Sequence, residues 1–282
     1  MATISLFSAK GSPGVTTTTL GVTLAWADAV AGRSALAVDA DPIGGDVASG
    51  ILRGTVPTGC GVLPLATARG MGPSEAVASA SVHLRRDGSA GVIPGVPDST
   101  RAAALTLAWD VLSQAQTDLG GGGVDLLVDC GRLDAGASLA PWVVDTDLAV
   151  LVVRPRLTDV TAAHRFVTTL TSVRADDGRS AGTVGQLGLV VVEVRSAYRA
   201  TEVADVLGLP LLAAVPFDFD GASVYSDGTA PPRGFTRSSY ARALHGLAAR
   251  LGSEVGLRPQ AGKGPGASSG RSSQHHLQQV RS

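Results

Sequence analysis

Seven strand-sized segments set the main constraint on this chain: Thr3–Ser8, Ala35–Asp39, Ala90–Ile93, Val124–Asp129, Leu148–Val153, Leu187–Val194 and Leu211–Val215. Most are nearly uninterrupted apolar runs. A strand that is apolar on both faces must be covered on both, which is the condition of a parallel sheet between two helical layers. Helical patterns fall between them. The first spans Thr16–Ala31, with Leu20, Leu24, Ala27 and Ala31 on one face and Gly32 at the place of a C-terminal cap. Others span Ser99–Leu119, Val160–Arg174, Ala200–Leu207 and Ser238–Leu251. The βαβα order predicts one α/β domain over residues 1–251, a doubly wound, mostly parallel sheet in three layers. Gly44–Ser89, where Gly and Pro interrupt the pattern, is the stretch without a clear element, and no internal repeat is visible.

Composition removes several alternatives. The 282 residues are 44% hydrophobic and 17% charged, but the longest apolar stretches, Leu148–Val153, Leu187–Val192 and Leu209–Pro216, are far shorter than the roughly 18 residues of a spanning helix. Met1–Ala9 has no basic segment ahead of its apolar residues, so a cytoplasmic location is expected. Cys60 and Cys130 are distant and outside any C-x-x-C pair, which predicts small buried hydrophobes, not a zinc site or disulfide. Residues 252–282 are rich in Gly, Ser, Pro and Gln and read as a disordered tail, in which His275–His276 is a solvated pair without further metal ligands. The tail holds Arg258, Lys263, Arg271 and Arg281 against Glu254, a net +3, so the total of −1 leaves −4 for residues 1–251. Bulk charge therefore does not support nonspecific DNA binding, although Arg154, Arg156 and Arg165 are candidates for a local basic patch. Of 23 basic residues only Lys10 and Lys263 are lysine, which makes Lys10 the single lysine of the folded region.

The first strand runs into SAKGSPGVTTTT, Ser8 to Thr19, and then directly into a helix. A glycine-containing turn at that junction aims backbone N–H groups and the positive end of the helix dipole at one point, which suits phosphate. Gly11 and Gly14 do not fit a dinucleotide G-x-G-x-x-G fingerprint. Against G-x-x-x-x-G-K-[ST], Gly14 and Thr16 match, while Ala9 replaces the first glycine and Val15 the lysine. The second strand ends in AVDADPIGGD, placing Asp39 and Asp41 at the C-terminal edge of the sheet, and VDLLVDCG places Asp129 at the same edge. One aspartate at a strand end is commonly a turn former. Three converging beside a phosphate cradle suit a hydrated Mg²⁺ and an attacking water, since magnesium keeps several waters and uses few protein oxygens.

Together these segments resemble the ParA/MinD group of P-loop ATPases, with its deviant Walker A motif K-G-G-x-G-K-[ST]-[ST]. KGSPGVTT, Lys10 to Thr17, aligns with that motif without a gap, VDADPIGGD at 38–46 is similar to the family's second motif, and VDLLVDCG at 124–131 to its Walker B segment. DLAVLVVRP (Asp147 to Pro155) and GLPLLAAVPFD (Gly208 to Asp218) resemble its later strands and the loop beside the base, and the likeness covers roughly residues 1–251. It implies a Rossmann-like P-loop NTPase fold binding ATP and Mg²⁺. By position, Gly11, Ser12, Gly14, Val15, Thr16 and Thr17 would form the nucleotide loop, and Pro216 would lie beside the base. Thr16, Asp39 and Asp129 would hold the metal, directly or through water. Asp41 would orient the attacking water, and Lys10 would reach the phosphates of the partner in a homodimer.

The departures from the family pattern bear on activity. Val15 stands where the in-cis lysine belongs, and a lost charge-assisted hydrogen bond of about 1.5–3 kcal/mol weakens binding roughly tenfold to a hundredfold. Pro13 has no N–H to donate. Glu193 occupies the place of the family's base-side asparagine. MinD-type proteins end in an amphipathic membrane helix that this tail lacks, and Ser238–Leu251 is expected to close the sheet rather than lie on a bilayer. The resemblance implies a Mg-ATP-dependent dimer with weak hydrolysis, acting in spatial positioning, partitioning or assembly of a cargo through a protein partner. The alternative is a pseudo-ATPase scaffold resembling TadZ/CpaE proteins, which localises a secretion or pilus machine by protein contacts.

Overall fold

A computed structural model of the chain describes residues 1–11, 13–133, 141–176, 186–194 and 198–257. The strands are β1 (Thr3–Ser8), β2 (Ser34–Asp39), β3 (Val82–His83), β4 (Ala90–Ile93), β5 (Val124–Arg132), β6 (Leu148–Val153), β7 (Gln186–Glu193) and β8 (Leu211–Pro216). They form one sheet in the order β3-β4-β2-β5-β1-β6-β7-β8. Every pairing is parallel except β3 with β4. The chain is thus the doubly wound α/β domain that the apolar runs require. The helices are α1 (Val15–Ala29), α2 (Val62–Ala66), α3 (Pro73–Ala80), α4 (Ala103–Gln114), α5 (Gln116–Gly121), α6 (Pro141–Val144), α7 (Leu157–Asp176), α8 (Ala200–Leu207), α9 (Phe219–Ser226) and α10 (Ser239–Glu254).

Alternation along each strand divides the core into two layers. Leu36, Val38, Leu126, Val128, Leu151 and Val191 point to one face, under α2, α3, α4, α7 and α8. Ile4, Leu6, Ala35, Ala37, Leu127, Val150 and Val190 point to the other, under α1, α9 and α10. By the same alternation Asp39 and Asp129 face the α1 side. Strand β1 lies between β5 and β6, so the chain winds outward from it in both directions, and the crevice at the C-terminal ends of β1, β2 and β5 is the position where α/β folds bind ligands.

Several boundaries differ from the sequence reading. Helix α1 ends at Ala29, and Val30 caps it. Its buried side is Val15, Thr19, Val22, Thr23 and Trp26 as well as Leu20, while Leu24 is half-buried and Ala31 exposed, because α1 lies between the sheet and α10 and is covered on two sides. The Ser99–Leu119 pattern is a 3₁₀ turn at Ser99–Arg101 followed by α4 and α5, broken at Ala115. The Gly44–Ser89 stretch contains α2, α3 and the edge strand β3.

The α10 face of Tyr240, Leu244, Leu247 and Leu251 is buried against the α1 layer, so this helix closes the sheet and has no apolar face left for a bilayer. It continues past the expected boundary at 251 to Glu254, and the remaining tail, with His275–His276, lies outside the described residues. Cys130 is buried and Cys60 half-buried, and both are free thiols. Among the described residues no helix is long and apolar enough to cross a membrane.

Gly21 lets α10 approach α1: a Cβ there would stand 2.6 Å from Leu244 Cδ1 and 3.2 Å from the Tyr225 ring. Gly21→Val is expected to cost about 1–3 kcal/mol through overpacking, read as a lower urea midpoint with unchanged slope. An unchanged midpoint would contradict this packing.

Candidate functional site

The loop between β1 and α1 begins at Ser8 and ends at Gly14, whose φ of 98° is a left-handed conformation that a side chain resists. Gly14 is the N-cap of α1. No side chain caps this end and no acidic residue lies in its first turn, so the leading N–H groups and the dipole face the crevice without a capping side chain. Lys10 and Gly11 are exposed at the rim, and Ser12 lies outside the described residues. Thr16 and Thr17 are half-buried at the start of the helix. Thr19 is not part of the rim: its hydroxyl donates back to Val15 O at 3.0 Å within the helix.

Val15 is 5% exposed and packs in the apolar layer under α1. Its methyl groups replace polar reach with core packing.

Beneath the loop lie two carboxylates brought together by strand register. Asp39 on β2 is the direct partner of Asp129 on β5, and the two are 1% and 2% exposed. Asp39 is held from both sides: Asp41 N–H donates to Oδ1 and Val47 N–H to Oδ2, both at 3.4 Å. Gly45 crosses so closely that a Cβ there would fall 1.8 Å from Asp39 Oδ2. Asp129 Oδ1 accepts from Gly131 N–H at 3.0 Å. Its Oδ2 is buried without a hydrogen bond of normal geometry. The Thr16 hydroxyl is close enough to favour the charged form of Asp129, but it does not satisfy Oδ2. An unmatched carboxylate oxygen at a helix N-terminus is short of a cation. Asp41 is half-buried, receives Ile43 N–H on Oδ1 at 2.8 Å, and rests against Gly131. Among the described residues no three His, Cys, Asp or Glu side chains are grouped as direct metal ligands.

Burial raises the pKa of Asp39, and the charge of Asp129 raises it further, against the two N–H donors. Burial likewise raises Asp129, against Thr16 and Gly131. A carboxyl raised in the folded chain contributes stability that is complete at acid pH and is lost as pH climbs from the ordinary carboxylate range to the folded value, about 8 for Asp39. The ligand-free protein should therefore lose stability as pH rises from about 5.5 to about 8, by at most about 1.4 kcal/mol per pH unit from Asp39, with Asp129 contributing only up to its own folded value of about 6. Urea midpoints across this range check the sign, and midpoints that rise with pH would contradict it.

Beside the loop is a cleft of about 190 Å³ bounded by Gly14 and Thr17 of the α1 end, Val192 of β7, Pro216 of β8, and Arg154 and Asp218. It brings Pro216 to the same space as Gly14 and Thr17 of the loop and helix start. Phe217, next to Pro216, also lines it, as do Ala222 and Tyr240, which sequence reasoning passed over because they come from later helices. Arg154, read as part of a basic surface patch, turns into this cleft instead. Glu193 is exposed beside Pro216 in the β7–β8 register and is not a lining residue.

A bare helix N-terminus after β1, opposite carboxylates at the ends of β2 and β5, defines the chain as a P-loop-type α/β fold. Solved structures of MinD and ParA proteins are among those that share this fold. MinD in the MinC:MinD cell division complex of Aquifex aeolicus is similar at 21% identity, with a TM-score of 0.67 over 90% of this chain and 96% of that one. MinD of Pyrococcus horikoshii OT3, solved with Mg-ADP, is similar at 21% identity and a TM-score of 0.65, over 90% and 97% of the two chains. A ParA family ATPase from Chlorobium tepidum TLS matches at 16% identity and a TM-score of 0.63, over 89% and 99%. No protein-family model matches the chain. No curated protein matches its sequence.

Proposed function

We propose that the chain is a ParA/MinD-type protein that binds a purine nucleotide with Mg²⁺ at the α1 N-terminus and works in positioning or assembly of a cargo. The observation that carries this is the uncapped α1 end facing Asp129 Oδ2, a buried oxygen without a hydrogen-bond partner. The N–H groups from Gly14 to Thr17 would receive the phosphates, with the base in the cleft beside Pro216. Thr16 would hold the metal directly, and Asp39 and Asp129 its waters. When bound, Mg²⁺ would supply the positive charge these carboxylates and the phosphates share. Asp41, at the rim, would orient the attacking water. Exposed Lys10 would cross to the nucleotide of a second copy, making the active form a dimer.

Val15 favours weak hydrolysis, because its buried side chain cannot stabilise charge on a transferring phosphoryl group. The same observation supports the second reading, a non-hydrolysing scaffold of the TadZ/CpaE kind that acts by protein contacts. Titration calorimetry with ATP and ADP, each with and without Mg²⁺, together with sedimentation of the loaded protein, tests the proposal. Magnesium-enhanced binding with a shift to dimer mass is expected. No heat at millimolar nucleotide, under any condition, would overturn it.

A further inference from the structure

With Val15 in the core and Lys10 at the rim, the phosphate end of the site needs a cation from elsewhere in its own chain. The β1–β5 register points to one. Leu6 is opposite Asp129, but Ser8 is opposite Arg132, so β5 carries one extra residue over this step. Simple alternation would send Arg132 to the face opposite Asp129. The bulge cancels that, and since Leu6 and Ser8 share a face, their partners Asp129 and Arg132 do too. Arg132 therefore comes to the α1 side, at the C-terminal end of the strand next to the one that feeds the loop.

The turn is firmly held. Gly131 adopts a left-handed φ of 58° and donates to Asp129 Oδ1. Ser8 Oγ donates to Gly131 O at 3.4 Å, and Leu133 N–H to Ser8 O at 2.9 Å. A Cβ on Gly131 would lie 1.9 Å from Asp41 Oδ2, so the residue next to Arg132 touches the carboxylate proposed to orient water. Arg132 is exposed, and it lies near enough to Asp41 for its charge to oppose the rise in the Asp41 pKa that burial causes.

We infer that Arg132 is the in-cis cation for the terminal phosphate of the nucleotide, an inference that rests on the nucleotide reading above. A guanidinium there can pair two phosphate oxygens at once and remains charged at any working pH. It stands beside Asp41, on the side away from the base cleft, so it should distinguish ATP from ADP.

Calorimetry of the full chain with Mg-ATP and Mg-ADP tests this on the wild type, Arg132→Gln and Arg132→Lys, with thermal melts to verify folding. Arg132→Gln is expected to lose tenfold to a hundredfold in ATP affinity and less than threefold in ADP affinity, while Arg132→Lys recovers part of the ATP loss. An equal loss for both nucleotides, or no loss, would overturn the assignment while leaving nucleotide binding in place. Wild type that binds neither nucleotide would overturn both.

Discussion

Val15→Lys should tighten Mg-ATP binding tenfold to a hundredfold. The side chain leaves from the first residue of α1, next to the uncapped N–H groups, and one charge-assisted hydrogen bond to phosphate contributes about 1.5–3 kcal/mol. The gain has a counterpart in the apo protein. Val15 is a member of the apolar layer, so a longer, charged side chain there, beside the positive end of α1, should lower apo stability by about 1–3 kcal/mol. Calorimetry and urea melts on the same variant read the two effects separately. A folded variant with no gain in affinity would favour the scaffold reading, since the helix end would then not be receiving phosphate.

Asp39→Asn should separate stability from binding. Asp39 is buried beside Asp129, and burial together with that neighbour disfavours its charge. The neutral amide removes the buried charge but also one of the two oxygens that accept N–H groups, so it should stabilise the ligand-free protein by only about 1 kcal/mol at pH 8 and flatten the pH dependence of its urea midpoint. It should also abolish the magnesium enhancement of nucleotide binding, because the carboxylate pair that would hold the metal's waters is broken. A residue kept for structure alone would show the opposite: loss of apo stability with magnesium dependence unchanged. The packing of Gly45 against Asp39 makes the amide isostere the suitable substitution, because any bulkier side chain would displace the loop.

Strands buried on both faces were readable in the sequence because nothing but a two-sided core explains runs such as Leu148–Val153. Strand β3 was not, since Val82–His83 is two residues long and incompletely buried at the sheet edge. Asp39, Asp41 and Asp129 could be placed at strand ends from pattern alone. Their pairing could not: it depends on β5 inserting between β2 and β1, which no local signal specifies. The cleft was legible at Gly14, Thr17 and the segment ending in Pro216 and Asp218, but not at Val192 and Tyr240, which meet it by tertiary folding. Arg132 illustrates the same limit, for alternation assigns it to the wrong face and only the bulge beside Ser8 corrects it. Val15 was visible as a missing lysine, whereas its burial in the apolar layer was not.

The central claim, that the α1 N-terminus and the Asp39–Asp129 pair form a magnesium-nucleotide site, is tested most directly by a crystal structure grown with a non-hydrolysable ATP analogue and Mg²⁺. The account predicts phosphates on the N–H groups of Gly14 to Thr17, the metal on the Thr16 hydroxyl with its waters toward Asp39 and Asp129, and the base beside Pro216. Crystals from saturating analogue that show the loop and both carboxylates without phosphate or metal density would contradict it.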